Sequence, residues 1–133
     1  MQKLYELAEA ENIDVIEKHL PGSLKGFYFR QGKSKLICLE KRLNYVNKRI
    51  VFAEGLGHHF TSYGDTVDLS RPDFGTVSKN EYIARKWAAE FLIPDKEFSK
   101  LVENKERFHD LNIHYLAEEF GVTKKFLGFR WNI

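Results

Sequence analysis

The sequence predicts an α+β fold, a mostly helical core beside a small antiparallel β-sheet. Two observations carry this. Apolar residues recur at three- and four-residue steps over two stretches, Tyr45 to about Ser62 and Lys79 to Leu92, which is the period of helices with one buried face. Two short runs rich in aromatic and branched residues, Gly26 to Arg30 and Lys35 to Leu39, flank Gln31-Gly32-Lys33-Ser34, a glycine-bearing hairpin loop. At 133 residues, all of it (1–133) is expected to form one domain, large enough for a real core. Apolar residues make up 43% and charged residues 30%, a balance that excludes a disordered chain. The net charge of +2 is too mild to argue for direct nucleic-acid binding.

In chain order, Gln2 to Glu11 carries Leu4, Leu7 and Ala8 at helical spacing. Asn12-Ile13-Asp14 interrupts it, and Val15-Ile16 continues as a strand or a further turn. Leu20-Pro21-Gly22-Ser23 is a turn by composition. The hairpin follows, then the central helix, with Asn44 as its cap, Gly64 as its stop, and Val46, Ile50, Ala53, Gly57 and Phe60 as its apolar stripe. Gly64 to Lys79 holds Pro72 and Gly75, shows little periodicity and reads as a long loop. Ser78 with Glu81 three residues on is a capping box that opens the next helix, and Pro94 limits it. Asp95 to Asn104, Asn112 to Phe120 (closed by Gly121) and Thr123 to Phe129 complete the helices.

Cys38, the single cysteine, is flanked by Ile37 and Leu39 and is expected to pack as a small hydrophobe in a reducing compartment. No apolar run approaches a membrane span, and the polar start Met1-Gln2-Lys3 is not a signal peptide. A cytoplasmic protein without membrane contact is the expectation.

Beside the apolar stripe, Glu54 and His58 lie four residues apart, so both project from one face, one turn apart. A carboxylate and an imidazole so placed can close on one metal ion, as H-E-x-x-H helices do; the alternative is a hydrogen-bonded Glu–His pair on a polar face. Laid over that motif, Glu54 stands at the first ligand and Gly55 at the general base, so no carboxylate is present to take a proton from water. On helix propensity alone, Gly55→Glu should cost the fold little. Gly57 would let a second helix approach closely. His59 lies about 100° round the helix from His58 and reads as a packing or surface residue.

Ala53-Glu54-Gly55-Leu56-Gly57-His58-His59, taken with Glu81-Tyr82-Ile83-Ala84-Arg85-Lys86-Trp87-Ala88 and the following Leu92 and Pro94, resembles the ImmA/IrrE family of zincin-like metallopeptidases. In that family an H-E-L-G-H helix is followed by E-x-x-A-x-x-F-A and then L-x-P. Leu116 to Val122, through Phe126 to Arg130, resembles the family's closing helix and tail. The mobile-element branch often reads A-E-E-L-G-H, which leaves Gly55 as the one serious departure. The resemblance implies a zincin-like fold, Glu81 as third metal ligand with Glu54 and His58, and Zn²⁺ as cofactor. It also implies a partner: a helix-turn-helix repressor whose cleavage derepresses a phage or integrated element. Two carboxylates and one imidazole would nearly neutralise Zn²⁺, and such an oxygen-rich set also suits Mn²⁺ or Mg²⁺.

Two functions follow. One is a zinc-dependent endopeptidase-like protein acting on that repressor, impaired by Gly55. The other is a catalytically silent relative that binds a repressor or another phage protein. Tyr63, Asp65 and Asp68 are expected around the metal or substrate. His109 and His114 are expected to face solvent, and Trp87, Phe91 and Trp131 to pack in the core.

Overall fold

The computed structural model describes residues 1–70, 78–103 and 113–133. Six helices and four strands lie among them, in the order α1 (Gln2–Ala10), β1 (Asp14–Lys18), β2 (Gly26–Gln31), β3 (Ser34–Glu40), α2 (Tyr45–Thr61), β4 (Thr66–Ser70), α3 (Lys79–Leu92), α4 (Asp95–Glu103), α5 (Ile113–Phe120) and α6 (Lys124–Trp131). The fold class is the α+β arrangement read from the sequence. Helix α1 ends where Asn12 takes a left-handed φ of 56°, a conformation asparagine tolerates better than most residues, and the chain then enters β1.

The sheet has the order β1-β3-β2-β4. It is mixed rather than purely antiparallel, because β1 pairs with β3 in parallel, Val15 opposite Ile37. The hairpin closes as expected: Gln31 pairs with Ser34 around a two-residue turn in which Gly32 has φ 58°. Part of the expected loop after α2 is in fact strand β4, which runs antiparallel to β2 with Asp68 opposite Tyr28. Its alternating Thr-Val-Asp-Leu-Ser is too short and polar to announce a strand alone; pairing with β2 supplies the order.

Helix α2 is central. Its Asn44 cap accepts a hydrogen bond from the Asn47 amide at 2.9 Å. The helix ends at Ser62, and Gly64 turns the chain two residues later with φ 67°. Residues 50–53 and 55–58 are all buried, because α2 lies between the sheet and α3 and has neighbours on most sides. On the sheet side, a Cβ on Gly26 would meet Val51 and the Cys38 carbonyl at 2.7 Å, so sheet and helix pack in close contact. Phe60, expected in the apolar stripe, is instead 41% exposed and stacks on Trp87 with centroids 5.1 Å apart. Trp87 stacks in turn on Phe91 at 5.2 Å, and both are half-buried. Trp131 is 44% exposed, edge-on to Phe98, so the core reading fails there: it lies in the last turn of the closing helix, with much of its ring outside the core. Cys38 is buried, as expected, and burial pushes its thiol pKa up.

Candidate functional site

The site is built on the crossing of α2 and α3. A Cβ on Gly57 would fall 2.3 Å from the Ala84 carbonyl oxygen, so the two backbones touch there, as the glycine foreshadowed. Ser78 caps α3 by accepting the Glu81 amide at 3.2 Å, which fixes where Glu81 leaves the helix. Each helix then offers two polar residues one turn apart: Glu54 and His58 on α2, Glu81 and Arg85 on α3. The pairings run in opposite senses along the two helices. Glu54 Oε2 lies 3.6 Å from Arg85 Nε, both side chains being largely buried at 13% and 15% exposure. His58 feels the charge of Glu81 and has its Nδ1 3.7 Å from Asp68 Oδ2.

His58 is buried, and burial pushes its pKa below the ordinary histidine range; the Asp68 and Glu81 carboxylates oppose this and the Arg85 guanidinium reinforces it. Burial thus favours the neutral imidazole over the charged one. Asp68 reaches the site because β4 places it on the α2 side of the sheet edge, where its carboxylate also accepts the Thr66 hydroxyl at 3.0 Å.

Gly55 faces the sheet. A Cβ there would lie 3.2–3.3 Å from three carbons of the Ile37 side chain, which is buried. Beside it is a void of ≈ 10 Å³ bordered by Tyr28, Ile37, His58 and Asp68, with room for one water at most. Helix propensity alone therefore does not set the cost of Gly55→Glu: the Ile37 side chain must first give by a few tenths of an ångström to admit the Cβ. Nothing at this position can serve as a general base.

The other expected residues separate. Tyr63 is 95% exposed and projects into solvent. Asp65 accepts the Gly32 amide at 2.9 Å and pins the hairpin turn, away from the crossing. His114 is exposed and contacts Lys124, as expected, while His109 lies outside the described residues. His59 turns away from His58 as its angle required, into a network not foreseen: its Nδ1 meets the Tyr28 hydroxyl and its Nε2 meets Glu11 Oε1, each at 2.8 Å. Arg30 extends this network by donating to the His59 carbonyl and the Ser62 hydroxyl. The most consequential residue missed was Arg85. Its sequence signal was the four-residue step from Glu81, the same step that marked Glu54 and His58.

A metal ion does not fit this arrangement as it stands. Among the described residues no three His, Cys, Asp or Glu side chains converge on a common point. Glu54, an expected ligand, lies against a guanidinium, which has no lone pair to offer and already brings the positive charge a metal would bring. An open cleft of ≈ 440 Å³ adjoins the crossing, with Glu54 and Arg85 on its wall, Ile50, Phe126 and Phe129 as apolar lining, and Lys125 beside them.

With this geometry in view, the chain belongs to the family described as the IrrE N-terminal-like domain, a metallopeptidase family, which it matches over residues 8–132. Peptidases of this family are generally metal-dependent. The chain is also similar to "Uncharacterized immunity region protein 2" of Bacillus phage phi105, at 33% identity over 92 residues. That match takes in 68% of this chain and 58% of the phage protein, so the chain spans little more than half of its relative. The likeness fits a phage-associated, ImmA/IrrE-like protein. Among the described residues no helix is long and apolar enough to cross a membrane.

Proposed function

We propose that this protein recognises a helix-turn-helix repressor of a phage or integrated element, in the cytoplasm, and acts on it chiefly by binding, with hydrolysis impaired. One observation carries the reading: the base position is Gly55, which has no side chain, and a Cβ there would already meet the Ile37 side chain at 3.2–3.3 Å. The cleft between α2, α3 and α6 supplies an apolar floor with charged walls. Among the described residues strand β4 is the outer strand of the sheet beside this region, and an extended segment of the repressor can add to such an edge through main-chain hydrogen bonds. Neutral His58 would accept, and Arg85 donate, at the junction of cleft and strand.

A second reading keeps the endopeptidase. The family match and the presence together of Glu54, His58 and Glu81 favour it, with Zn²⁺ (or Mn²⁺) as the implied ion.

The test is to mix the full chain with the repressor encoded beside its gene, following complex formation by gel filtration and fragments by mass. A complex without fragments is expected, weakened by Lys125→Glu, an exposed change at the cleft. No complex would overturn the proposal. Fragments that vanish with a chelator would establish the endopeptidase instead.

A further inference from the structure

We infer that Arg85 is the resident cation of this site: its guanidinium neutralises Glu54 and balances the α2–α3 crossing, so that zinc binds there only when Arg85 is removed. The inference rests on the reading that this chain acts chiefly by binding. Three observations support it. The first is position. Arg85 stands one turn beyond Glu81 on α3 and directly opposite Glu54 on α2, within 3.6 Å. The second is confinement. The guanidinium also lies over the face of Phe129, 5.8 Å from its centroid, so α2 and α6 hold it from two sides, and Tyr82 meets Phe129 edge-on at 5.7 Å.

The third is charge balance. Asp68 and Glu81 bring their charges to the buried His58, and the carboxylate of Glu54 stands one turn away on α2 against Arg85. Largely buried carboxylates are tolerated only with a cation close by. A divalent ion among them would lie a few ångströms from a permanent positive charge, and like charges at that range in a low-dielectric setting repel strongly. Arg85 and a metal ion are therefore alternatives. With Arg85 gone, Glu54, His58 and Glu81 become the proposed ligand set.

The experiment measures zinc by equilibrium dialysis and elemental analysis, with no repressor present, so its outcome is independent of the binding test above. Wild type, Arg85→Gln, Arg85→Met and Arg85→Lys are each compared with the same form carrying His58→Ala, and only the His58-dependent zinc is counted. Wild type and Arg85→Lys are expected to show none. The two neutral variants are expected to bind one zinc per chain at concentrations where wild type binds none, a gain of at least about 10–100-fold, the span over which a single neighbouring group tunes a metal site. Stoichiometric His58-dependent zinc in wild type would overturn the inference. So would folded neutral variants that bind no better than wild type. If the neutral variants are unfolded, added zinc must restore their thermal transition; failure to do so would equally overturn it.

Discussion

Gly55 and Gly57 lie two residues apart on α2 and face opposite neighbours, and the contrast separates two kinds of constraint. Gly57 meets backbone: a methyl group would sit 2.3 Å from the Ala84 carbonyl oxygen, which cannot move without shifting α3. Gly55 meets a side chain: the nearest atoms belong to Ile37, whose end can rotate. In helix propensity the two are alike. One is required by the crossing of two helices, and the other leaves a gap in what a peptidase needs.

The largest effect should come from Gly57→Ala. Overpacking against backbone outweighs the gain of about 1 kcal/mol in helix propensity, so a net loss of about 3 kcal/mol is expected in chemical denaturation. A loss below about 1 kcal/mol would mean that the helices can slide apart. Gly55→Glu comes next, at about 2 kcal/mol, because the carboxylate must displace Ile37 or stay unpaired in the core. Gly55→Ala, measured alongside, should fall within about 1 kcal/mol of wild type, its sign set by how far Ile37 yields. If the alanine variant is as damaged as the glutamate one, volume rather than charge sets the limit at this face.

A change that depends on pH rather than on volume should come from the lead-in to α2, away from both glycines. Buried Glu40 accepts the Arg42 guanidinium (3.1 Å) and amide (2.7 Å), the Leu20 amide (2.9 Å), and meets His19 Nδ1 at 2.9 Å. The Arg42 hydrogen bonds lead in holding its carboxyl well below the usual carboxylate range. A depressed folded-state pKa means that this stabilisation is complete above the unfolded value, near 4.5, and is lost as pH falls through the folded value. Glu40→Gln removes the charge that these contacts favour, so the variant should be less stable than wild type at neutral pH, with the gap closing as pH falls. Its unfolding midpoint should fall less steeply than that of wild type as pH drops below about 4.5. Parallel curves for the two proteins would show that Glu40 does not drive the acid response.

What was legible in the sequence was local. The hairpin, the caps at Asn44 and Ser78, and the close approach at Gly57 each rest on signals within a few residues. The parallel partner of β3, strand β4 and the Tyr28–His59–Glu11 chain do not, because they exist only where distant segments meet. At the site the same division holds. The four-residue spacing placed Glu54 and His58 correctly on one face, and the angle correctly sent His59 elsewhere. Opposition between helices decided the rest: Arg85, not a second ligand, stands across from Glu54.

The stack of Phe60, Trp87 and Phe91 spans the two helices and gives the molecule an optical gauge. Trp87 is one of only two tryptophans and touches a ring from α2 on one side and a ring from its own helix on the other. The second, Trp131, is nearly half exposed and sits at the far end of α6. In a Trp131→Phe background all indole emission would arise at the α2–α3 junction. Slippage of the crossing, zinc capture by an Arg85 variant or arrival of a repressor could then be followed as colour and intensity, without attaching a dye.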